Sequence, residues 1–308
     1  MRCLYCYKKS DSDFHTACSK KIFGAPEPPQ VPYTESDLLN LAEQMIKGSA
    51  TVTGVQPKLS LHIEKPDNQS QKLTIVGLWG QYILKPQSHI WGELPQIEDL
   101  TMHLARLSNI RTVEHSLVKL MSGDFAYITK RMDREKDTKL HMEDMCQLAG
   151  RLTEDKYKSS YERIAKEIWA HSTNPGLDVV RFYELVLFSF LTGNADMHLK
   201  NFSLLRKLDG SHHLAPAYDL VSSELLVEDD DEELALTLNG KKKKLKYTDF
   251  QKAMETSRIP PKAALNILTK FSKLQSIWSE MVQSSFLSND MKEVYNEMLI
   301  RKHDQLYR

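Results

Sequence analysis

The sequence predicts an α+β fold in which a small, strand-rich lobe is followed by a larger, mainly helical lobe. Short runs that alternate between apolar and polar residues, such as Leu59–Ile63, are concentrated in the first 130 residues. Beyond Asp133, apolar residues recur mostly at helical spacing, in runs as long as Leu177–Leu191. A chain of 308 residues has room for one two-lobed domain or two small domains.

Composition excludes several classes of protein. Lys plus Arg and Asp plus Glu both total 41, so the net charge of zero gives no general attraction to nucleic acid. No window approaches the ~18 uncharged apolar residues of a membrane span, so we expect no contact with a membrane. The segment Met1–Cys6 lacks the apolar region of a signal peptide, and four cysteines do not form the framework of a secreted domain. We therefore expect a cytoplasmic protein with reduced thiols.

The start of the chain contains four candidate zinc ligands, which are Cys3, Cys6, His15 and Cys18. Their pattern is C-x2-C-x8-H-x2-C, and thiolate and imidazole groups suit zinc. The intervening loop is shorter than in common zinc fingers, and ordinary packing cysteines are the alternative. A zinc ion would stabilise a segment that is too short to have a core of its own.

The central stretch Leu191–Phe202 carries more polar groups than a buried turn accommodates. Asp196 and Asn201 are five residues apart, which is the D-x-x-x-x-N spacing of a protein-kinase catalytic loop. In such a loop the aspartate accepts the proton of the attacking hydroxyl, and the asparagine amide oxygen holds magnesium. Magnesium needs a second, anionic oxygen ligand, which Asp219 can supply after the next strand. Two unrelated Asx turns are the alternative.

Phosphoryl transfer also needs groups that position the phosphates and neutralise their charge. Within the catalytic loop, His198 and Lys200 are further candidate catalytic residues, and Lys200 can stabilise the charge on the transferred group. A metal-free structural role is the alternative for His198. Lys85 follows a predicted strand and stands where kinases have their ATP-binding lysine. Glu98, near the start of a predicted helix, is the candidate partner of Lys85, with a solvated glutamate as the alternative.

Backbone groups are predicted to hold the rest of the nucleotide. The loop Thr51–Lys58, with Gly54 at its centre, would lay amide groups over the phosphates, although it lacks the G-x-G-x-x-G pattern. The hinge Lys130–Met132 would follow the last strand of the small lobe and pair with the adenine edge. The predicted nucleotide contacts are Thr53, Gly54, Val55, Gln56, Pro57, Lys58, Lys85, Glu98, Lys130, Arg131, Met132, His198, Tyr218 and Asp219.

The predicted architecture is therefore a two-lobed, protein-kinase-like fold with ATP and Mg²⁺ as cofactors. Its divisions are an N-terminal Cys/His segment over residues 1–24, a small lobe over 25–130 and a helical lobe over 131–308. Thr34 begins a helix that extends to Ile46. The predicted strands are Leu59–Ile63, Leu73–Val76, Gln81–Leu84 and Phe125–Thr129, and the further helices are Glu98–Leu107, Glu143–Leu152, Ser160–Ala170, Leu177–Leu191, Ala264–Phe286 and Lys292–Tyr307.

One segment of the helical lobe combines a strand pattern with a run of charge. The strand that starts at Leu234 reaches an Asn-Gly turn at Asn239, and four lysines follow that turn. An acidic run, Glu228–Glu233, precedes the strand and is interpreted as a solvated loop. We interpret the lysine run as a charged hairpin tip, with contact to nucleic acid as the alternative.

The motifs resemble those of the HipA family of serine/threonine kinases, the toxins of bacterial toxin–antitoxin systems. The resemblance covers about residues 45–308 and rests on Thr51–Lys58, Tyr82–Pro86, Lys130–Arg134, Glu143–Gln147, Gly193–Phe202 and Tyr218–Asp219. It implies an ATP-dependent protein kinase with Asp196 as the base and with Asn201 and Asp219 as the magnesium ligands. It also implies autophosphorylation in the phosphate loop, where Thr51 and Thr53 occupy the serine positions of the family.

One departure from the family pattern concerns the N-terminus. About 50 residues precede the phosphate loop, whereas full-length members carry an extra subdomain before it. The chain therefore resembles the shortened, HipT-like toxin of tripartite, HipBST-type systems. That resemblance implies a small HipS-like protein in place of the subdomain and a HipB-like antitoxin through which DNA is contacted only indirectly. It further implies an aminoacyl-tRNA synthetase as the substrate.

Two other classes of function remain open. A small-molecule or lipid kinase of related fold would use the same metal and nucleotide residues. A non-catalytic nucleotide-binding module in an antitoxin–DNA complex would bind ATP without turnover. The complete set of Lys85, Asp196, Asn201 and Asp219 argues against such a module.

Overall fold

The computed structural model describes residues 1–308 except for residues 39, 42–56, 66–69, 77–78, 136–137 and 228–230. The chain divides into two compact units. Unit 1 contains Met1–Leu100, Val113–Arg131 and Ser284–Leu287, and unit 2 contains Thr101–Thr112, Met132–Gln283 and Ser288–Arg308. The longest continuous segment of unit 2 begins directly after Arg131.

Unit 1 is built on a five-stranded antiparallel sheet in the order β2-β1-β3-β5-β4. Its strands are β1 (Leu59–Glu64), β2 (Lys72–Ile75), β3 (Tyr82–Lys85), β4 (His115–Lys119) and β5 (Phe125–Lys130). All except β4 confirm predicted strands to within one residue at each end. The sequence does not predict β4, because its first four side chains are all buried and the strand therefore does not alternate.

The N-terminal segment shares the apolar core of this sheet. Its helix α1 (Thr16–Phe23) ends at Gly24, whose left-handed φ of 77° lets its N–H donate to the Lys20 carbonyl. Buried apolar side chains of the segment and of the sheet form one cluster, which includes Leu4, Tyr5, Phe14, Ile22, Phe23, Leu59, Leu61, Tyr82 and Leu84. The first 23 residues therefore fold against the sheet.

Two further helices of the first hundred residues begin differently from one another. Thr34 donates its backbone N–H and its hydroxyl to the Asp37 carboxylate, and this capping arrangement confirms the predicted helix start. Residues 35–38 are helical, and most of the remainder of this predicted helix, up to Ile46, lies outside the described residues.

Helix α2 (Leu94–Leu107) starts four residues before the predicted Glu98, because a proline at position 95 is accommodated in the first helical turn.

Unit 2 is mainly helical, and its long helix α5 (Pro175–Leu191) is buried along most of its length, as its apolar sequence predicts. The helices are α3 (Met145–Leu148), α4 (Tyr161–His171), α5 (Pro175–Leu191), α6 (Tyr247–Thr256), α7 (Pro261–Phe271), α8 (Gln275–Ser284) and α9 (Asn289–Tyr307). The 3-10 turns are Thr153–Asp155, Leu199–Asn201 and Ser223–Leu225. Across the described ranges, no helix has the length and apolar character that a membrane span requires.

Two small sheets complete unit 2. The strands β8 (Met142–Asp144), β9 (Ser203–Arg206) and β10 (His212–Leu214) form an antiparallel sheet in the order β10-β9-β8. The strands β6 (Arg134–Glu135) and β7 (Thr138–Lys139) pair with each other. Strand β9 directly follows the catalytic loop, so its pairing with β8 fixes one end of that loop.

Two predicted helices are wrong in part. The first residues of Glu143–Leu152 pair with β9 as strand β8, and Asp144 caps a helix of only four residues. The predicted helix Ala264–Phe286 is divided into α7 and α8 near Lys273. Helical periodicity does not reveal such a break, because both helices present apolar residues at similar spacing. The sequence patterns also do not identify α6.

The Asn-Gly turn is confirmed, although its flanks form isolated bridges instead of a continuous strand. Asn239 and Gly240 have φ angles of 48° and 75°, as a type I′ turn requires. The neighbouring lysines pair with the acidic run, because Lys242 Nζ lies 2.8 Å from Glu232 and Lys243 Nζ lies 2.5 Å from Asp231. These pairs favour a charged hairpin tip over a nucleic-acid contact.

Candidate active site

A glycine at the end of α5 fixes where the catalytic loop begins. Asn194 and Gly193 donate their backbone N–H groups to the carbonyls of Ser189 and Phe190, at 2.8 and 3.3 Å, which is a Schellman ending. Gly193 has a φ of +62°, and a Cβ added there would lie 3.0 Å from Met298 Sδ. Any other residue would therefore be strained both by its backbone conformation and by this contact.

Asp196 and Asn201, the predicted base and metal ligand, are joined by a hydrogen bond. Asn201 is 7% exposed, and its Nδ2 donates to the Asp196 backbone carbonyl at 3.1 Å. Since the amide nitrogen makes this bond, Oδ1 is the Asn201 atom that can coordinate a cation. The Asp196 side chain lies in an exposed position, where a substrate hydroxyl can reach it. Asp196 and Asn201 therefore belong to one hydrogen-bonded loop and not to two unrelated Asx turns.

Tyr218 connects the catalytic loop to the segment that carries Asp219. Its hydroxyl donates to the Lys200 backbone carbonyl at 2.9 Å and lies 2.6 Å from Ser203 Oγ. Asp219 follows with a φ of +60°, a conformation that costs a non-glycine residue about 1–3 kcal/mol. Aspartate is one of the residues that tolerates it best. Strained residues of this kind cluster at functional sites, where the surrounding structure fixes them.

His198 is a buried histidine whose pKa is affected by the carboxylates of Asp196 and Asp219. Burial has the largest effect and lowers its pKa, while Asp196 raises the pKa, Lys156 lowers it and Asp219 raises it. The net pKa is lowered, so the imidazole is neutral near neutral pH. The ring of Tyr157 packs edge-on against it, with ring centres 5.0 Å apart. Both carboxylates therefore belong to the electrostatic environment of this one side chain.

We expect His198 to make the folded protein sensitive to acid. Because its folded pKa lies below the ordinary 6.5, the unfolded chain binds the proton first as the pH falls. The free energy of unfolding that this group contributes is therefore constant above pH 6.5 and decreases below it. Urea denaturation at about pH 7.5 and about pH 5.5 should show a smaller acid loss for His198→Gln than for the unmodified protein. His141→Gln, whose side chain is 61% exposed, is the control, and equal losses in all three proteins would contradict the prediction.

The structure adds Tyr157 and Asp144 to the site. The Tyr157 hydroxyl donates to Asp196 Oδ1 at 2.6 Å, and Lys200 Nζ lies 3.2 Å from Asp144 Oδ2. Nothing in the sequence pattern indicates Tyr157, which precedes Asp196 by 39 residues and belongs to no motif. Asp144 has a recognisable pattern, because it forms a capping box with Gln147 at the start of α3.

Lys85 and Glu98, the predicted ATP-binding lysine and its partner, form an ion pair inside unit 1. Lys85 Nζ and Glu98 Oε1 are 2.5 Å apart, and the two residues are 3% and 0% exposed. Alternation along β3 places Tyr82 and Leu84 in the apolar core and Lys85 on the other face, 5.4 Å from the centre of the Tyr127 ring. The alternative of a solvated Glu98 is therefore excluded.

The predicted hinge uses two of its backbone N–H groups within unit 1. Lys130 donates to the Glu114 carbonyl and Arg131 donates to the Gln81 carbonyl, both at 2.8 Å. The third hinge residue, Met132, begins the next segment of unit 2. Most of the predicted phosphate loop, residues 51–56, lies outside the described residues, including the predicted site residues Thr51, Thr53, Gly54, Val55 and Gln56. Pro57 and Lys58 lead into β1.

The four predicted zinc ligands come together at the N-terminus of unit 1. One ligand atom from each of Cys3, Cys6, His15 and Cys18 lies within 4.8 Å of the others. Burial, and then the charge of Cys3, raise the pKa of the Cys18 thiol to about 12. Burial also acts on Cys3, but backbone N–H groups outweigh it and lower the pKa of that thiol. The charge of Cys3 therefore opposes ionisation of the Cys6 and Cys18 thiols.

These features define a chain of the protein-kinase-like class, with a buried lysine–glutamate pair in the sheet unit and an Asp–Asn loop in the helical unit. Residues 50–278 match the family model described as the HipA-like C-terminal domain. Since the match covers more than half of the chain, the protein belongs to that family. The resemblance drawn from the sequence motifs is thereby confirmed.

Two relatives show how far the similarity extends. A Haemophilus influenzae protein assigned as a kinase is 32% identical over an alignment of 209 residues that covers 63% of this chain and 58% of that protein. The serine/threonine-protein kinase toxin HipA of Shewanella oneidensis is 28% identical over an alignment of 214 residues that covers 63% of this chain and 47% of that protein. The chain thus spans about half the length of these relatives.

Solved structures share the fold. HipA of S. oneidensis, solved in a complex with HipB and operator DNA, superimposes with a TM-score of 0.71 at 21% identity, over 91% of this chain and 72% of that chain. The Helicobacter pylori proinflammatory kinase CtkA gives a TM-score of 0.55 at 16% identity, over 80% of this chain and 93% of that chain. The predicted α+β, protein-kinase-like fold is therefore confirmed.

Proposed function

We propose that this protein is an ATP-dependent serine/threonine protein kinase that acts as the toxin of a toxin–antitoxin system. The proposal depends on the geometry of the catalytic loop. Asn201 donates a hydrogen bond to the Asp196 carbonyl, and Tyr218, which precedes Asp219, donates one to the Lys200 carbonyl. Family membership supports the same reaction, because the proteins that align with the chain include ones assigned as kinases.

Each side chain has a separate role in the proposed transfer. The Asp196 carboxylate accepts the proton of the attacking hydroxyl, and because Tyr157 occupies Oδ1, Oδ2 is the oxygen offered to the substrate. The Asn201 amide oxygen and the Asp219 carboxylate fit magnesium, a hard cation that prefers oxygen ligands and neutralises phosphate charge when bound. Lys85, held by Glu98, contacts the nucleotide phosphates.

Lys200 and His198 support the loop in this proposal. Lys200 is held by Asp144 and can turn toward the developing charge, because its side chain is 37% exposed. His198, neutral at working pH, keeps the loop packed against Tyr157 without competing for the substrate proton. The adenine edge would pair with the carbonyls of Lys130 and Arg131 or with Met132, since the first two N–H groups are already used.

The proposal extends to partners and regulation. HipA of S. oneidensis was solved with HipB and operator DNA, so we assign this chain a HipB-like antitoxin partner and only indirect contact with DNA. The resemblance to HipT-like toxins adds a small HipS-like protein and an aminoacyl-tRNA synthetase substrate. Autophosphorylation at Thr51 or Thr53 would place a dianion in the loop meant for ATP phosphates and so oppose nucleotide binding.

Purified protein supplied with radiolabelled ATP and magnesium should label itself and a protein substrate. Asp219→Asn should reduce the initial rate by at least ~100-fold, because it removes the anionic metal ligand. Asparagine also tolerates a positive φ, so this substitution removes charge without adding backbone strain. Mass spectrometry should locate phosphate at Thr51 or Thr53 in the active protein and not in the variant.

The other outcomes of this experiment are equally informative. Label on a metabolite or a lipid, with none on protein, would favour a small-molecule kinase of related fold. Binding of ATP without turnover would favour a non-catalytic module. An Asp219→Asn variant as active as the unmodified protein would remove that carboxylate from the metal site.

A further inference from the structure

We infer that Cys3, Cys6, His15 and Cys18 bind one structural zinc ion that stabilises the N-terminal segment of unit 1. Two sulfur atoms lie beside the same imidazole nitrogen: Cys6 Sγ is 3.4 Å and Cys18 Sγ is 3.7 Å from His15 Nδ1. A tetrahedral site with zinc–sulfur bonds of about 2.3 Å and zinc–nitrogen bonds of about 2.0 Å separates sulfur from nitrogen by about 3.5 Å. The two observed distances bracket that value.

The second ring nitrogen of His15 shows which atom faces the cluster. His15 Nε2 lies 2.9 Å from the Lys9 backbone carbonyl oxygen, which only accepts hydrogen bonds, so Nε2 carries the proton. Nδ1 therefore directs its lone pair toward the cysteine sulfurs. Zinc-bound histidines commonly donate their other N–H to a backbone carbonyl, which orients the ring in this way.

A single thiol–imidazole hydrogen bond does not account for the arrangement around His15. One Nδ1 lone pair accepts one thiol proton, whereas two sulfurs lie beside it and a third completes the group within 4.8 Å. The three cysteines are free thiols, and an odd number of them cannot all be joined in disulfides.

The ligand set also selects the metal and its role. Thiolates and imidazole favour zinc over magnesium or calcium, and three cysteines with one histidine fill all four tetrahedral positions. A site without an open position is structural and does not activate water. Binding releases the protons of the ligand thiols to solvent, so zinc affinity should fall at low pH.

The zinc site lies at the base of a hairpin that contacts helix α2. Cys3 donates its N–H to the Lys8 carbonyl, and Tyr7 donates its N–H to the Cys3 carbonyl, both at 2.9 Å. The Tyr7 hydroxyl then donates to Asp99 Oδ2 at 2.7 Å, at the residue next to Glu98. Zinc bound by Cys3 and Cys6 therefore holds Tyr7 against the helix that carries Glu98.

Metal analysis of the full chain tests this inference directly. Protein purified without chelator should contain one zinc ion per chain, and Cys6→Ser and Cys18→Ser should lose it. Cys146→Ser is the matched control, because Cys146 is a buried free cysteine of unit 2 and should leave the zinc content unchanged. Removal of zinc with a thiol-blocking mercurial and a chelator should lower the melting temperature of the unmodified protein.

The unmodified protein decides the question even if the ligand variants fail to fold. X-ray absorption at the zinc edge should show three sulfurs at about 2.3 Å and one nitrogen at about 2.0 Å. Protein that contains no zinc and takes up none on titration would overturn the inference. So would zinc retained equally by Cys6→Ser and Cys146→Ser, or an absorption edge dominated by oxygen ligands.

Discussion

Asp196→Asn is expected to fold like the unmodified protein and to transfer phosphate about 10²–10⁴-fold more slowly. Asparagine keeps the size of the side chain and can still accept the hydrogen bond from the Tyr157 hydroxyl, but it cannot take a proton from the substrate. The bonds that hold the loop use the Asp196 backbone, whose N–H donates to Asn194 and whose carbonyl accepts from Asn201. The initial rate of label transfer measures the effect.

The matched control for this variant is Asp209→Asn. Asp209 is an exposed aspartate of the same unit, in the turn between β9 and β10, where its carboxylate accepts from the Ser211 backbone N–H at 2.9 Å. Both variants should keep the urea midpoint of the unmodified protein, and only Asp196→Asn should lose activity. Similar rates for the two variants would show that Asp196 is not the base.

Glu98→Gln is expected to lower the free energy of unfolding by about 3–5 kcal/mol, because it leaves the buried Lys85 ammonium without this counterion. The exposed pair formed by Lys119 and Asp13 is the control. Its Nζ–Oδ1 distance is also 2.5 Å, but its side chains are 41% and 38% exposed. Asp13→Asn should therefore cost less than about 1 kcal/mol. Urea denaturation measures both changes.

A double variant separates the stability of this pair from its role with nucleotide. Lys85→Met combined with Glu98→Leu replaces two buried charges by apolar groups, which is often neutral or stabilising. The double variant should therefore recover most of the stability lost in Glu98→Gln, whereas the loss of Lys85 should abolish its phosphate transfer. A stable double variant with a normal rate of phosphate transfer would show that Lys85 does not contact the phosphates. If the transfer rates of the two variants rose and fell with their free energies of unfolding, the pair would be purely structural.

Local patterns predict much of this protein because its key residues stand at fixed points of regular elements. The alternation of β3 places Lys85 on the face opposite the apolar core, and the five-residue spacing of Asp196 and Asn201 matches a single turn. The Cys-x2-Cys and His-x2-Cys spacings likewise bring their four side chains together without any long-range information.

Contacts between distant parts of the chain are not visible in such patterns. Tyr157 reaches Asp196 only because the segment before α4 folds back on the catalytic loop, as Leu199 N–H donating to the Lys156 carbonyl at 3.2 Å shows. Strand β4 is buried on both faces and loses the alternation that would identify it. The left-handed backbone of Asp219 depends on the packing around Tyr218, which no local spacing encodes.

In the folded protein, nearby carboxylates offset much of the positive charge of the lysine run at the Asn-Gly turn. Lys242 and Lys243 lie 2.8 and 2.5 Å from the carboxylates of Glu232 and Asp231, and Lys241 Nζ lies 2.8 Å from Asp249. Protein binding to a DNA backbone draws much of its free energy from the release of cations condensed on the phosphates. Ammonium groups that already have protein carboxylates beside them would exchange one anion for another, so a polyelectrolyte would gain little at this turn, and its affinity there would vary only weakly with salt.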